Sequence, residues 1–256
     1  MLNTKSSSPE RKRKRDQEKM GEKKEKESLK LLGCWSTHET FKITLALHAK
    51  AISHEYIDED LLGEKSDLLL KMNPVNQTVP VLIHNETPLL DSLVILEYID
   101  DTWTQTPKFL PDDPLKKARL RFWGRFIGNE LLGSMHPLAL TTGVEQEKAL
   151  QKYYAKLQTV EDGVKNLFEG GKPLIDDNNL SLLDIQIWSV LGSYKSFEEG
   201  LGGLKLLDPL KFPFIHSWIS AINELDAAKK AMPDHSAMVS FLKYYVELMR
   251  AKLASS

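Results

Sequence analysis

A chain of 256 residues that is 41% hydrophobic and 27% charged has ordinary globular composition, and it is long enough for one large or two small units with their own cores. A formal net charge of -2, from 34 Lys and Arg against 36 Asp and Glu, gives no general reason to expect nucleic acid or a membrane as partner. The single cysteine, Cys34, excludes an intramolecular disulfide, the seven histidines show no ligand spacing, and no apolar run reaches the roughly eighteen residues of a membrane-spanning helix; a soluble, intracellular protein without a metal is expected.

Residues 1–27 differ from all that follows: SSSPERKRKRDQEKMGEKKEKE has almost no apolar side chain to offset the entropy of ordering, so a disordered charged extension is predicted there. From Leu29, LKLLGCW reads as a buried strand, with Cys34 inside it. Phe41, Leu45, Ala49 and Ile52 then share one face of a helix. HEYIDED looks like a second strand, and SDLLLKM like a short helix after a loop carrying Lys65 and Ser66. VPVLIH and TPLL, joined through HNET, predict an antiparallel hairpin turning at Asn85. SLVILEYIDDTW is a helix opening at Asp91 and Ser92. The order β-α-β-α-β-β-α begins with a unit that demands a right-handed crossover between parallel strands.

The segment TQTPKFLPDDP has the Pro and polar content of a linker. Beyond Pro114 the pattern is helical to the end, through KKARLRFWGRFIGNELL, EKALQKYYAKLQTVEDGVKNLF and SLLDIQIWSVLGSY to the final FPFIHSWISAINEL and HSAMVSFLKYYVELMRAKL. Ser181 and Asp184 form an S-x-x-D start, a capping-box variant. An α/β unit followed by an all-α one is therefore the predicted fold class.

One long stretch, EYIDEDLLGEKSDLLLKMNPVNQTVPVLIHNETPLLDSLVILEYIDDTW, resembles the glutathione-binding domain of plant tau-class glutathione transferases, as does LRFWGRFI at the head of the helical region. The likeness runs from about Leu29 to Leu253. It implies a thioredoxin-like domain over 28–105, a linker over 106–113 and an all-helical domain over 114–256, arranged as a homodimer. The implied activity is conjugation of the glutathione thiolate to hydrophobic electrophiles, with reduction of organic peroxides as a further capability. Glutathione is then a co-substrate and no cofactor is needed. The competing reading is a weakly catalytic or non-catalytic binder of glutathione conjugates or hydrophobic ligands.

Such a site must ionise a thiol whose free pKa is about 8.5. The family's catalytic serine falls on Thr37, whose hydroxyl can donate to a thiolate but whose methyl restricts χ1. On spacing alone Ser36 and Thr37 are equally helix N-caps. Val79-Pro80 resembles the family's cis-proline step, with Val79 presenting its backbone to the cysteinyl unit. Asp91 would bind the γ-glutamyl ammonium, although the family usually has Glu there. Ser92 and the helix N-terminus would bind the γ-glutamyl carboxylate, and Lys65 the glycine carboxylate. A second family lysine is replaced by Thr78. Without the resemblance, Asp91-Ser92 is an ordinary cap and Lys65 a solvated surface charge. Trp35, Phe126 and Tyr245 are candidates to line the acceptor cleft between the domains, or equally core aromatics. Cys34 reads as an inert buried thiol. RKRKR, Arg11 to Arg15, resembles a nuclear-localisation cluster and adds a partial nuclear fraction to the cytoplasmic expectation, and a weaker reading of a nuclear interaction protein; a start at Met20 would remove it.

Overall fold

A computed structural model of the chain describes residues 28–168, 173 and 175–255. The extension expected over 1–27, its basic cluster included, lies outside the described residues.

Alternation of apolar side chains builds the sheet. Strand β1 (Leu29–Gly33) sends Leu29 and Leu31 to one face and Leu32 to the other, and β3 (Val81–His84) sends Leu82 to the first face and Val81 and Ile83 to the second. Helix α1 (His38–Ala49) returns the chain so that β2 (Glu55–Asp58) lies parallel to β1, with Leu31 opposite Tyr56. β3 pairs antiparallel with β1, placing Leu31 opposite Leu82, and β4 (Thr87–Leu89) completes the order β2-β1-β3-β4. The β3–β4 hairpin turns at Asn85 and Glu86, both at positive φ. The expected strands are all present but shorter than their apolar runs. Cys34 lies just past β1, not within it, and Ile52 follows the end of α1 and does not extend its face.

Helices α1 and α3 (Ser92–Thr102) cover one face of the sheet. The short α2 (Asp67–Met72) covers the other, where Leu69 closes a small cluster with Leu32, Val81 and Ile83. The first face is continuous with the main core, which runs through Ile95, Ile99 and Phe109 into the helical region around Leu183, Trp188 and Trp218. This continuity is what fixes α1, and the loop before it, between the two parts of the molecule.

The helical region begins with α4 (Pro114–Arg125), capped by Asp113. It widens into a π-helical stretch (Phe126–Leu131) and continues as α5 (Leu132–Leu140). The single helix expected there is thus longer and interrupted. At Gly128 a Cβ would stand 2.9 Å from Gln186 Nε2, so the stretch packs closely on the side chain of Gln186 in α7. Then come α6 (Gly143–Gly163), a 3-10 turn (Lys165–Leu167), α7 (Leu182–Leu191), α8 (Tyr194–Gly200), α9 (Pro213–Asn223), α10 (Asp226–Ala231) and α11 (His235–Ala254). The capping box read at Ser181 is present: Ser181 N–H donates to Asp184 Oδ2 at 2.6 Å and Asp184 N–H to Ser181 Oγ at 3.3 Å. Asp184 also accepts from Trp218 Nε1 at 2.7 Å, tying α7 to α9. Burial pushes the Asp184 carboxyl up, against these hydrogen bonds.

A buried ion pair inside the sheet-bearing part holds the segment that leaves it. Lys50 Nζ, at the end of α1, lies 3.1 Å from Asp100 of α3 and donates to the carbonyls of Trp103 and Gln105 at 2.7 and 2.9 Å. Asp100 accepts in turn from Phe109 and Leu110 N–H at 2.8 and 2.9 Å, so the connecting segment is held by both charges. Among the described residues, no helix is long and apolar enough to cross a membrane.

Candidate functional site

The loop between β1 and α1 is built by short polar side chains. Thr37 is the N-cap of α1, with extended backbone, and its hydroxyl accepts weakly from Thr40 N–H at 3.4 Å. The hydroxyl proton has two acceptors within reach, Cys34 C=O at 3.1 Å and Thr40 Oγ1 at 2.8 Å. The half-buried Thr37 is therefore both a cap and a hydroxyl whose proton is directed back into the loop. Ser36 is buried, 3.2 Å from Cys34 Sγ, so its hydroxyl faces the only thiol.

The step between Val79 and Pro80 is cis, as is a second one, Thr106-Pro107, which the sequence did not suggest. Val79 stands just ahead of the β1–β3 ladder, whose described register begins with Val81 opposite Leu32. Asp91 sits at φ 69° and caps α3: its Oδ1 accepts from Leu93 N–H at 2.9 Å and Val94 N–H at 3.2 Å. The side chain is exposed, so Oδ2 remains accessible to a cation. Ser92 is buried at the first turn of α3. Lys65 is exposed in the loop before α2, next to Ser66, which caps that helix and donates to the buried Glu59 at 2.5 Å. Thr78 is exposed, and its carbonyl accepts from Asn73 Nδ2 at 2.9 Å.

Two residues that the sequence reading passed over meet Ser92. Lys42 of α1, 2% exposed, donates to Ser92 Oγ at 2.9 Å and to Glu39 Oε2 at 2.7 Å. Ser92 Oγ itself donates to Glu39 Oε2 in a short hydrogen bond. Burial lowers the Lys42 pKa against the pull of Glu39, and Lys42 holds Glu39 below the usual carboxylate range although burial opposes it. The available signal was Lys42 itself: one cation inside FKITLAL, three residues after an acid, is either misplaced or paired.

His38 is the other unforeseen group. Its Nδ1 lies 2.8 Å from Ser189 C=O of α7, and its ring stacks on Phe197 of α8 at 5.0 Å. Burial pushes this imidazole down, so the neutral ring donates through Nδ1 to the carbonyl.

The aromatic candidates separate. Trp35 meets Phe241 edge-on at 5.4 Å, and Phe241 stacks on Tyr245 at 6.0 Å, so Trp35 and Tyr245 belong to one aromatic file between the first loop and α11. Phe126 packs instead on Trp123 at 5.6 Å, with Lys156 of α6 above its ring at 5.6 Å. The π-helical stretch carries it, so its direction differs from that of an uninterrupted helix. A cavity of about 510 Å³ has Trp35 in its wall together with Phe41, His48, Tyr56 and Pro233, but neither Phe126 nor Tyr245. It lies between α1, β2 and the turn from α10 to α11. The three aromatics expected to share one cleft therefore do not line one described cavity.

The arrangement can hold a small peptide by charge and backbone: a residue ahead of β3 and before a cis-proline, a helix N-terminus with a carboxylate beside it, and a hydroxyl at the head of α1. Among the described residues, no group of His, Cys, Asp and Glu could hold a metal ion.

Comparison with known proteins agrees with this geometry. Residues 27–101 match the family profile "Glutathione S-transferase, N-terminal domain". Glutathione S-transferase U9 of Arabidopsis thaliana is 37% identical over 221 residues, covering 85% of this chain and 91% of that protein. Glutathione S-transferase U10 of the same plant is 34% identical over 226 residues, covering 88% and 95%. The crystal structure of the tau-class glutathione S-transferase of mango, Mangifera indica, superposes with a TM-score of 0.77 at 33% identity, covering 85% of this chain and 98% of that one. Rice GST1, solved in complex with glutathione, gives 0.76 at 29% identity, covering 87% and 98%.

Proposed function

Given that the chain belongs to the tau class of the glutathione S-transferase family and is a glutathione transferase, we propose that it conjugates the glutathione thiolate to hydrophobic electrophiles and reduces organic peroxides with the same thiolate. The observation that carries this is the position of Thr37: its hydroxyl heads α1, where a helix N-terminus and a hydroxyl donor together lower the pKa of a thiol. On this reading Val79 pairs its backbone with the cysteinyl unit, Asp91 takes the γ-glutamyl ammonium through Oδ2, Ser92 and the α3 N-terminus take the γ-glutamyl carboxylate, and Lys65 takes the glycine carboxylate. Trp35 and Tyr245 offer the electrophile an apolar wall. Phe126 stands apart from that wall and has no role in the proposal.

Thr37 also favours a slow enzyme. Its proton is committed to Cys34 C=O or Thr40 Oγ1, and the thiolate must compete for it. That same commitment supports the second reading, a carrier of hydrophobic ligands or glutathione conjugates with little turnover. Steady-state rates with glutathione and an activated aryl halide decide between them. Thr37→Ser, with a freer χ1, should raise kcat. Thr37→Val should lower it while glutathione affinity stays within a few-fold. Full turnover in Thr37→Val would remove Thr37 from the chemistry and pass the role to Ser36.

The proposal includes a homodimer in the cytoplasm. Support for the dimer comes from the exposed Val94 of α3 and Phe122 of α4, which flank the pair of Arg121 with Glu97 and so present apolar surface on adjoining helices. A detoxifying role follows from the chemistry proposed.

A further inference from the structure

The carboxylate anchor at Ser92 is filled by the chain's own residue. A carboxylate ligand arriving at the N-terminus of α3 needs a hydroxyl donor and a cation above all, because the Leu93 and Val94 N–H groups there already donate to Asp91. These are Ser92 Oγ and Lys42 Nζ, 2.9 Å apart. Glu39 already holds both through one oxygen, Oε2, at 2.7 Å from Lys42 and in a short bond from Ser92.

The three side chains differ in freedom. Lys42 is 2% exposed and Ser92 8%, so neither can leave. The Glu39 side chain is 36% exposed and sits in the first turn of α1, with water on one side. If Glu39 rotates outward, a buried ammonium loses its hydrogen-bonded counter-charge and keeps only the more weakly coupled Asp91, which is unfavourable unless another carboxylate takes the place of Glu39. An exchange of one carboxylate for another keeps Lys42 neutralised throughout. Asp91 adds a favourable charge near Lys42, but its Oδ1 is engaged by Leu93 and Val94 N–H and its side chain is exposed, so it compensates the ammonium less well than a carboxylate in direct contact.

We propose that Glu39 is an intrachain occupant of the carboxylate anchor, which the γ-glutamyl carboxylate displaces from Ser92 and Lys42 on binding. This rests on the reading of Ser92 as the γ-glutamyl anchor. Glu39 is then a specificity-determining residue. It weakens binding of peptides that carry this carboxylate and leaves untouched those that lack it. The chain consequently discriminates less between the two than the anchor alone would.

The test is calorimetric titration of the full chain and Glu39→Gln with two probes: glutathione, and γ-aminobutyryl-cysteinyl-glycine, which keeps the thiol, the ammonium and the glycine carboxylate and lacks only the γ-glutamyl carboxylate. Glu39→Gln should tighten glutathione about tenfold, the scale of one released charge-assisted hydrogen bond, and change the second probe by less than about twofold. Glu39→Asp keeps a counter-charge for Lys42 but draws back from Ser92, and should shift in the same direction by less; it also serves if Glu39→Gln does not fold. Equal affinities for glutathione in all three proteins would overturn the inference while leaving the glutathione site standing. Equal tightening of both probes would reduce Glu39 to a general repulsive charge and overturn it too. Absence of glutathione binding in every protein would overturn the site and the inference together.

Discussion

His38 shows what a single side chain does at the junction. Its ring is packed on Phe197 and its Nδ1 is bonded to Ser189 C=O, so the first turn of α1 is tied to α7 and α8. Burial is the largest influence on its pKa and lowers it from the ordinary 6.5. The unfolded chain takes up this proton below about pH 6.5, whereas the folded chain resists it until the lower folded pKa is reached. Stability is therefore full above the unfolded pKa and declines as pH falls through the interval between the two. Urea midpoints between about pH 7.5 and 5.5 should fall with acidification, and His38→Phe, which keeps the stacking but not the titration, should flatten that slope. His48, also lowered by burial, accounts for a remaining slope. An identical slope in His38→Phe would contradict this assignment. The sequence carried no sign of the role, since both partners of His38 lie about 150 residues away. Thr37 and Ser92 became candidates only through the family likeness, because on spacing each is an ordinary capping residue. Glu39 and Lys42 were missed for a different reason: a helical face is read from its apolar positions, and the one cation inside FKITLAL, though visible, does not name Ser92 as its partner.

At the level of elements, α3 has two duties at one end. Asp91 satisfies the N–H groups of Leu93 and Val94, and in the proposal its other oxygen receives an ammonium. The two duties separate by substitution. Asn retains the capping acceptor and tolerates the positive φ of 69°, whereas Ala does neither. Asp91→Asn should leave the melting temperature nearly unchanged and weaken glutathione by roughly 1.5–3 kcal/mol, the scale of a hydrogen bond to a charged group. Asp91→Ala should show a similar loss of affinity and a further loss of about 1 kcal/mol of stability. Undiminished glutathione affinity in Asp91→Asn would leave Asp91 as a cap alone. Local patterns such as the hairpin at Asn85 and the Ser181–Asp184 box were readable because each closes within a few residues. The π-helical stretch was not, since a one-residue widening leaves the apolar pattern of a helix almost unchanged, and with it went the expected direction of Phe126. The short α10 escaped because six residues carry too little periodicity to distinguish a helix from a loop.

For the molecule as a whole, one continuous core holds the thioredoxin-like part against the helical region, and one buried ion pair fixes the segment between them. Lys50→Met removes the ion-pair partner of the buried Asp100, and should cost about 3 kcal/mol in urea unfolding; the double change with Asp100→Asn should cost less than the sum of the single ones. A loss below about 1 kcal/mol would mean that the connecting segment is held by the Phe109 packing and not by the pair. The order of strands and helices was readable from alternation and chirality, while the fusion of the two cores was not, because it depends on which faces remain uncovered after each part forms. That fusion places the Thr37 loop where both parts bound it, and the central claim is that glutathione held there is ionised by the head of α1. Titrating the thiol of bound glutathione by its ultraviolet thiolate absorbance tests this most directly. In the unmodified chain the thiol should titrate about one to two units below its free value of about 8.5, and in Thr37→Val it should return at least halfway. A bound thiol that titrates at its free value, or one that is equally depressed in Thr37→Val, would contradict the account.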